Sequence, residues 1–359
     1  MHIMMIANDT NFVWNLRREI LEEFVKQGYR VTLVAEILDF KDELEKIGVS
    51  IINIQNSRRG KNPFKDIHLL FKYCTILSRV KPDIVFTNNI KPNAYGGIAC
   101  QFHKTKYIPN ITGLGTPIEI PGKLQKLTIK LYKLGVRKAS TIFFQNQENI
   151  DFFVSHKMIS KNSKIVLLPG SGVNLEAHPI LPWPDGSIHF LFVARVMKEK
   201  GIDYFLAAAH EFASPNIIFD VCGQCDDPYY QELLDNDSSI VYHGLQKEMK
   251  PFYSQCSCLL FPSYYPEGMS NVLLEAAASG RPLITTDRSG CREIVDDNVT
   301  GFIVPIKDET AVIDAVRHFL DLSCEDRKKM GFAGREKVAQ EFDRKKVVEE
   351  YIKEIIIIF

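Results

Sequence analysis

The sequence predicts an α/β protein of the doubly wound class, with two parallel-sheet domains facing each other across a cleft. The chain has 359 residues, which is more than one ordinary hydrophobic core accommodates. Short apolar runs alternate with amphipathic helical segments along its length, an order that gives right-handed strand–helix–strand units and parallel sheets. A proline-rich stretch at 178–186 interrupts this alternation, so two domains are expected.

The first half opens with a short apolar strand at 2–7, followed by the polar residues 8–11 and an amphipathic helix. Gly28 is expected to end that helix, because glycine readily adopts the left-handed conformation found at helix ends. The alternation then continues to residue 168. Further strands are expected at 30–36, 50–54, 83–87, 107–111, 141–144 and 165–168, with helices at 13–27, 39–47 and 64–80.

The second half repeats the pattern. Strands are expected at 188–194, 217–222, 240–243, 258–262, 283–286 and 302–304, with helices at 202–212, 228–235, 248–254, 271–279, 292–296 and 309–320. We therefore expect a first domain at 1–177, a linker at 178–186, a second domain at 187–340, and a C-terminal helix at 341–359 that packs back on the first domain. Open sheets of this kind bind ligands beyond the carboxyl ends of their strands.

Composition and cysteine usage point to a soluble protein of a reducing compartment. The chain is 45% hydrophobic and 25% charged, and its eight cysteines follow no disulfide framework. Cys222 and Cys225 form a Cys-x-x-Cys pair without a second pair or nearby paired histidines, so we interpret them as a core thiol and a loop residue. The start of the chain lacks a signal-peptide pattern, and no stretch approaches the roughly 20 apolar residues of a membrane span. A cytoplasmic location is expected.

The charge is divided unevenly between the halves. Residues 1–180 carry 25 Lys and Arg against 15 Asp and Glu, whereas the rest carry 19 against 29. This asymmetry predicts an anionic surface or ligand at the first half, and we expect no nucleic-acid partner. Residues 122–139 place four leucines at helical spacing, and the basic run 58–61 adds to the charge. The basic residues among those leucines are Lys123, Lys126, Lys130, Lys133, Arg137 and Lys138.

Two interpretations of this basic helix remain open. Its leucines pack on the core of their own domain, or they dock the protein on an anionic membrane surface.

The stretch 261–301 carries the main candidate chemistry. Glu267 and Glu275 form an E-x7-E pattern, and Gly268 allows a sharp turn between the loop and the helix that follows. Ser270 is the expected N-cap, so the amides of Ser270, Asn271 and Val272 form an anion site suited to a diphosphate. Glu275 is then placed to accept ribose hydroxyls and Glu267 to accept sugar hydroxyls. The alternative is a pair of solvated carboxylates.

A basic loop after the strand at 188–194 supplies charge of the opposite sign. Arg195 and Lys200 suit phosphate oxygens, the first as a planar fork and the second as a point charge. Gly223 follows a second strand and Ser289-Gly290 a third. Ordinary strand-to-helix turns explain the glycines but leave the paired Arg and Lys unexplained.

These motifs resemble the retaining GT-B glycosyltransferases of family 4. The matching residues of the second half are Arg195-x4-Lys200-Gly201, Pro262-Ser263-x3-Glu267-Gly268-x6-Glu275-Ala276, Gly280-x-Pro282, SGxxEIV at 289–295 and TGFIV at 300–304. The first half resembles the bacterial branch that extends polyprenyl-diphosphate-linked sugars during O-antigen, capsule or N-glycan assembly. Its matching residues are Asn88, Asn89, Lys91, Pro92, Asn93, Tyr95 and Gly96, with TGLGT at 112–116.

The resemblance implies a role for each matched residue of the second half. Arg195 and Lys200 neutralise the donor diphosphate, Glu275 binds the nucleotide ribose, and Glu267 binds the transferred sugar. Domain 1–177 then binds the acceptor and faces the membrane, whereas domain 187–340 binds the nucleotide sugar. Many members have a Gly-Gly pair in the first strand-to-helix turn, where this chain has residues 8–11. The residues expected on the acceptor side are Asn8, Arg17, Asn89, Lys91, Gly113 and Gly115.

The implied reaction moves a hexose or N-acetylhexosamine, N-acetylgalactosamine before N-acetylglucosamine, from a UDP-sugar to a polyprenyl-diphosphate-linked saccharide. It needs no cofactor and no metal, and the enzyme associates peripherally with the inner face of the cell membrane. Closure of the domains about 179–184 is expected to complete the site. Three alternatives are a family 4 transferase with a soluble acceptor, a nucleotide-sugar 2-epimerase, and a nucleotide-binding module without chemistry. An intact E-x7-E with Arg195 and Lys200 argues against the last.

Overall fold

The computed structural model describes residues 1–55, 63–115, 118 and 122–359. The described chain divides into two compact units. The first contains residues 1–171, 267–269 and 345–359, and the second contains residues 172–266 and 270–344. Each unit has its own parallel sheet, so the predicted doubly wound fold class is confirmed. The basic run 58–61 and Thr116 of the TGLGT motif lie outside the described residues.

The sheet of the first unit has seven parallel strands in the order β3-β2-β1-β4-β5-β6-β7. Its central strands are buried on both faces because helices cover both, which explains their nearly continuous apolar sequences. The strands are β1 (His2–Asp9), β2 (Arg30–Glu36), β3 (Val49–Asn53), β4 (Ile84–Asn88), β5 (Lys106–Ile111), β6 (Thr141–Phe144) and β7 (Lys164–Leu167).

Helices cover the two faces of this sheet in separate groups. Those of the first unit are α1 (Thr10–Lys26), α2 (Lys41–Lys46), α3 (Pro63–Val80), α4 (Gly97–His103), α5 (Lys123–Val136) and α6 (Gln147–Ser155). The C-terminal helix α13 (Arg344–Ile358) clusters with the first unit from Lys345 onward and packs on the same face as α1. Helices α3, α4, α5 and α6 pack on the opposite face.

The sheet of the second unit has six parallel strands in the order β10-β9-β8-β11-β12-β13. The strands are β8 (Ile188–Val193), β9 (Ile217–Cys222), β10 (Val241–Gly244), β11 (Cys258–Phe261), β12 (Leu283–Thr286) and β13 (Gly301–Val304). The helices are α7 (Ile202–Phe212), α8 (Pro228–Asn236), α9 (Lys250–Gln255), α10 (Asn271–Ala278), α11 (Glu309–Asp321) and α12 (Cys324–Glu341).

A buried carboxylate ties three strands of the second sheet together. Asp220 of β9 lies 2.7 Å from His189 Nδ1 of β8 and 2.7 Å from His243 Nε2 of β10. Burial alone would raise the pKa of Asp220, but the two histidine contacts hold it below its ordinary value. The carboxylate therefore stays ionised while it links β8, β9 and β10.

Each sheet has one point where the strand order reverses. In the first unit this point lies between β1 and β4, and in the second it lies between β8 and β11. The loops that leave neighbouring strands there turn to opposite faces of the sheet, which opens a crevice at the carboxyl edge. These crevices are the places in the two units where a ligand is expected.

The stretch 178–186 is bound along the second unit. The Pro182 carbonyl accepts a hydrogen bond from Arg281, and the His178 carbonyl accepts one from Arg335. The Leu181 amide donates to the Ser279 carbonyl. This stretch forms no sheet or helix hydrogen bonds of its own. Its backbone groups are paired instead with two arginine side chains and with the carbonyl of Ser279 at the end of α10.

Helix α4 was not predicted, and two further features differ from the sequence prediction. The prediction of a helix at 292–296 is wrong, because only the single 3₁₀ turn Arg292–Ile294 forms there. The Glu293 carboxylate in that turn accepts hydrogen bonds from Ser289 and from the Gly290 amide, which makes the turn a support for the preceding loop. Helix α6 was not predicted, although Asn146 caps it by accepting a hydrogen bond from the Asn149 amide.

Candidate active site

The loop that leaves β8 reaches the crevice of the second unit through a 3₁₀ turn. This turn, Lys198–Lys200, ends at Gly201, which has a φ of 83° and precedes α7. A Cβ on Gly201 would lie 2.1 Å from the Pro262 carbonyl oxygen. The turn can therefore pack this closely on the segment after β11 because Gly201 has no side chain.

The segment after β11 is fixed to that same turn. The Tyr264 amide donates to the Glu199 carbonyl at 3.0 Å. Thr285 Oγ1 donates to the Phe261 carbonyl at 2.9 Å, and Thr286 Oγ1 donates to the Ser263 carbonyl. The loops from both sides of the reversal point consequently form one hydrogen-bonded unit.

Lys200 is the cation held in this crevice. Its ammonium lies 4.6 Å from the ring centre of Tyr265 and 5.6 Å from that of Phe261. The side chain is half-buried, and the aromatic faces stabilise its charge. An anion bound here would meet a positioned positive charge.

Arg195 extends from the same loop closer to β8, and its side chain is exposed. Gly223, which follows β9, packs directly on the start of that loop, since a Cβ there would lie 1.6 Å from the Ala194 carbonyl oxygen. The Val196 amide donates to the Gln224 carbonyl at 2.9 Å. Gly223 therefore positions the backbone that carries Arg195.

The predicted anion site is the start of α10, at the same edge of the sheet. Ser270 occupies the N-cap position without a side-chain capping bond, and its amide donates to the Gly290 carbonyl at 2.8 Å. Among the described residues no side chain or carbonyl accepts from the amides of Asn271 and Val272. Of the three amides predicted for the anion site, these two, at the positive end of the helix dipole, are available to a bound anion, whereas the Ser270 amide is taken by Gly290 and the prediction is wrong for it.

Glu275 lies one turn into α10 and is half-buried. Its Oε2 accepts a hydrogen bond from the fully buried Tyr253 of α9 at 3.0 Å. Burial raises the pKa of Glu275, whereas the Tyr253 hydrogen bond and the positive charge of Arg344 oppose that rise. The E-x7-E pattern thus places one carboxylate in a supported, partly desolvated position.

Glu267 and Gly268 belong to the short segment that clusters with the first unit. Asn146 Nδ2 donates to the Glu267 carbonyl at 3.1 Å and to the Gly268 carbonyl at 2.6 Å. A Cβ on Gly268 would lie 2.3 Å from the Thr112 carbonyl oxygen and 2.5 Å from Gln145 Oε1. Gly268 permits this close approach, and Asn146 fixes the backbone from which the half-exposed Glu267 side chain extends.

Three of the acceptor-side residues lie at the reversal point of the first unit. Asn8 comes from the end of β1 and donates its amide to Asn89 Oδ1, after β4, at 3.2 Å. Asn89 has a φ of 73°, a left-handed conformation that asparagine tolerates. Lys91 follows, and its ammonium lies 2.8 Å from Asp66 Oδ1.

The remaining acceptor-side residues differ in exposure. Gly113 and Gly115, in the loop after β5, are half-buried. Arg17 is fully buried, where its Nε donates to Asn88 Oδ1 and its Nη1 donates to Ser171 Oγ. Arg17 therefore supports the carboxyl end of β4 from inside the unit, where it presents no surface to an acceptor.

Helix α5 leaves most of its leucine stripe uncovered. Its buried residues are Thr128, Tyr132, Gly135 and Val136. Leu124, Leu127 and Leu134 are exposed, whereas Leu131 packs on the core. The basic residues among them are all exposed, namely Lys123, Lys126, Lys130, Lys133, Arg137 and Lys138. The interpretation that the leucines pack on their own core holds for Leu131 alone.

Two supporting residues, Tyr253 and Asn146, were missed by sequence reasoning. A buried tyrosine carries no signal of its carboxylate partner in the sequence, so Tyr253 could not have been found. Asn146 precedes a weakly amphipathic segment and was detectable only as an N-cap.

Within the described ranges, no three His, Cys, Asp or Glu side chains converge as metal ligands. In the same ranges, no helix combines the length and apolar character needed to cross a bilayer.

Two family sequence profiles match the chain, one in each half. The profile described as "Glycosyl transferase 4-like" matches residues 2–146, and that described as "Glycosyl transferases group 1" matches residues 187–321. The second match contains the Lys200 turn, the start of α10 and Glu275. The first contains the reversal point of the seven-stranded sheet.

Individual relatives agree with these profiles. An N,N'-diacetylbacillosaminyl-diphospho-undecaprenol alpha-1,3-N-acetylgalactosaminyltransferase of Campylobacter jejuni is 23% identical, with 98% of each chain covered. A UDP-Gal:alpha-D-GlcNAc-diphosphoundecaprenol alpha-1,3-galactosyltransferase of Escherichia coli is 25% identical, with 73% of each chain covered. Among solved structures, HepE of Anabaena in complex with UDP and glucose matches with a TM-score of 0.81 at 15% identity, covering 100% of both chains. With a 4-like half, a group 1 half and two doubly wound sheets, this chain belongs to the family 4 glycosyltransferases of the GT-B fold.

Proposed function

We propose that this protein is a retaining glycosyltransferase that moves a hexose or N-acetylhexosamine from a UDP-sugar to a polyprenyl-diphosphate-linked saccharide during bacterial surface polysaccharide or glycan assembly. The observation that carries the proposal is the crevice of the second unit, where Lys200 and the free amides at the start of α10 lie on loops that share hydrogen bonds. The acceptor class is supported by the names of the Campylobacter and Escherichia relatives, which act on undecaprenyl-diphosphate-linked sugars.

The donor half of the reaction is electrostatic. As the bond between the sugar and UDP breaks, negative charge accumulates on the leaving diphosphate. Lys200, Arg195 and the amides of Asn271 and Val272 supply positive charge and hydrogen-bond donors for it. Groups that are positioned beforehand stabilise developing charge without reorganising, and this is often the largest contribution to catalysis. These groups supply the charge on their own, so we propose that the step requires no metal and no cofactor.

The outcome at the anomeric carbon is proposed to be retention. UDP-hexoses of the common series have the alpha configuration, and both relatives are named for alpha linkages. Retention follows if the acceptor attacks the anomeric carbon on the same face from which the diphosphate leaves. The leaving diphosphate then helps to remove the proton of the acceptor hydroxyl. Glu267 is proposed to bind the transferred sugar's hydroxyls, and Glu275 to bind the ribose.

We propose UDP-N-acetylgalactosamine as the first donor to test, before UDP-N-acetylglucosamine. The Campylobacter relative is named for that sugar, whereas the Escherichia relative is named for galactose. The decisive assay offers each nucleotide sugar with polyprenyl-diphosphate-linked mono- and disaccharides, and scores product mass and anomeric configuration. Product from a water-soluble sugar alone would favour a soluble acceptor, and donor conversion without any acceptor would favour an epimerase.

A matched pair of variants tests the role of Lys200. Lys198 lies in the same turn and is exposed, so Lys198→Ala removes an equal charge from the loop without touching the crevice. Lys200→Ala and Glu267→Ala should lose turnover while remaining folded, and Lys198→Ala should remain active. Near-wild-type activity of both Lys200→Ala and Glu267→Ala would overturn the assignment. Activity that survives dialysis against EDTA supports the metal-independent step.

The enzyme is proposed to work at the inner face of the cell membrane through the basic helix α5. Leu124, Leu127 and Leu134 lie exposed among six basic side chains. Helix α4 packs against both α3 and α5, and it carries the exposed Phe102. Each basic residue contributes on the order of 1 kcal/mol at an anionic leaflet, and exposed apolar side chains add burial in the interface. Such docking would bring the active site to a lipid-linked acceptor.

A further inference from the structure

We propose that Tyr253 is a positioning residue for the donor nucleotide, which holds the Glu275 carboxylate in the orientation that accepts the ribose hydroxyls. This inference rests on the proposed function, because it assumes that Glu275 binds the ribose of a UDP-sugar. Tyr253 itself is 1% exposed and does not reach a ligand. It acts through Glu275.

The hydrogen bond divides the two oxygens of Glu275 between protein and ligand. Tyr253 Oη donates to Oε2 at 3.0 Å. Oε1 accepts no hydrogen bond from any residue that the structure describes, and the Glu275 side chain is half-buried. One oxygen is therefore fixed from inside the unit, while the other has no donor among the described residues and is the one we assign to a ribose hydroxyl. Because a carboxylate oxygen has two acceptor sites, Oε2 can also accept a second, neighbouring hydroxyl.

The charges around this pair keep the donor and the acceptor in the required protonation states. Burial raises the pKa of Tyr253, and the negative charge of Glu275 raises it further, so the phenol always retains its proton. The groups that act on Glu275 are Tyr253 from α9 and Arg344 from the start of α13, and both oppose the rise in its pKa caused by burial. The thiols of Cys222 and Cys256 also face Tyr253, and burial raises the pKa of each to about 12, so they stay neutral.

Tyr253 is itself held by the linker side of the second unit. Its carbonyl accepts a hydrogen bond from Arg281 Nε at 2.7 Å, and Arg281 Nη2 donates to the Pro182 carbonyl at 2.6 Å. The ring of His178 meets the Tyr253 ring edge-on, with centroids 6.4 Å apart. These contacts fix the backbone and the ring of Tyr253, and with them the position of its hydroxyl oxygen.

The test is the Tyr253→Phe variant, which removes one oxygen atom. We expect the Kd of UDP, measured by calorimetry, and the KM of the UDP-sugar to rise about 10-fold, because a hydrogen bond to a charged group is lost. The kcat should stay within about twofold, because the bond acts on binding of the ribose. Without the hydroxyl, the pKa of Glu275 rises further, so the acid limb of kcat/KM should move to higher pH.

Tyr230→Phe is the matched control. Tyr230 is a buried tyrosine of the same unit whose hydroxyl donates to Asp203 Oδ1 at 2.9 Å. Both variants lose one tyrosine-to-carboxylate hydrogen bond, so similar losses of thermal stability are expected. Only Tyr253→Phe should change the Kd of UDP and the pH profile. In a Glu275→Ala background, Tyr253→Phe should have no further effect on UDP binding.

Each other outcome overturns a defined claim. If Tyr253→Phe matches Tyr230→Phe in Kd and pH profile while Glu275→Ala weakens UDP binding, the role of Tyr253 is refuted and the donor site stands. An additional loss from Tyr253→Phe in the Glu275→Ala background refutes it as well, because Tyr253 then acts by another route. If Glu275→Ala leaves the Kd of UDP unchanged, the ribose site of the proposed function fails and this inference fails with it.

Discussion

Replacing Gly201 by alanine tests whether the close packing of two loops builds the proposed donor site. The added Cβ would lie 2.1 Å from the Pro262 carbonyl oxygen, so the loops must separate by about 0.9 Å to reach the 3.0 Å below which real Cβ contacts essentially never occur. The left-handed conformation costs an L-residue about 1–2 kcal/mol, and overpacking against backbone adds about 1–3 kcal/mol. A loss of about 2–5 kcal/mol in the free energy of unfolding is expected.

Gly186→Ala separates these two contributions. Gly186 has a φ of 90°, close to the 83° of Gly201, but no atom lies within 4 Å of its added Cβ. It should lose only the conformational part, about 1–2 kcal/mol, with unchanged turnover. Because a shift of 1 Å near reacting groups can cost about 100-fold in rate, Gly201→Ala should lower kcat/KM for the UDP-sugar by about 10–100-fold. Chemical unfolding and steady-state kinetics measure the two effects, and equal behaviour of the two variants would refute the packing argument.

Three further predictions concern other parts of the molecule. Asp220→Asn should lower the free energy of unfolding at pH 7 by about 1–3 kcal/mol, because a charged hydrogen-bond network is broken. The pKa of Asp220 is lower in the folded state, so its ionisation stabilises the fold fully above about pH 4. This stabilisation is lost as the pH falls through the folded-state pKa. On acidification below about pH 4, the free energy of unfolding should therefore fall less for Asp220→Asn than for the wild-type protein. Asn146→Asp keeps the oxygen that caps α6 but loses the donors to the 267–268 carbonyls, so kcat should fall about 10–100-fold with α6 intact by hydrogen exchange. The double variant Lys126→Glu/Lys130→Glu should weaken binding to anionic vesicles, measured by sedimentation, by several kcal/mol. Its turnover of a soluble acceptor analogue should be unchanged. Equal binding of the wild-type protein to neutral and anionic vesicles would contradict the membrane proposal.

Local sequence pattern was sufficient for the strands and most helices. Strand β12 and helix α7 match their predicted bounds, because a continuous apolar run and a 3.6-residue period are properties of neighbouring residues. The same pattern was wrong at 292–296, where Glu293 turns back on its own loop and a helix does not form. A side-chain contact over three or four residues overrode the helical periodicity there.

The basic helix shows a different limit of sequence reasoning. Its composition predicted an amphipathic, cationic surface, but two orientations were compatible with the leucine spacing. The structure buries Tyr132 and Val136 and leaves Leu127 exposed. Tertiary packing made this choice, because Gly135 lets α5 approach the backbone near Ala94 closely, with an added Cβ only 2.7 Å from that residue's Cα.

The sequence by itself determined the fold class and which residues follow the strands of the second sheet, because strand polarity and loop motifs depend on neighbouring positions of the chain. The carboxyl ends of parallel strands necessarily lie at the same edge of a sheet. Lys200 and the start of α10 therefore lie at the carboxyl edge of the second sheet. Only the tertiary structure decided how these groups are held. The bond from Tyr253 to Glu275 joins residues 22 positions apart, and that from Asn146 to Gly268 joins residues 122 positions apart. Such pairs depend on how whole elements pack, and no local pattern encodes that packing.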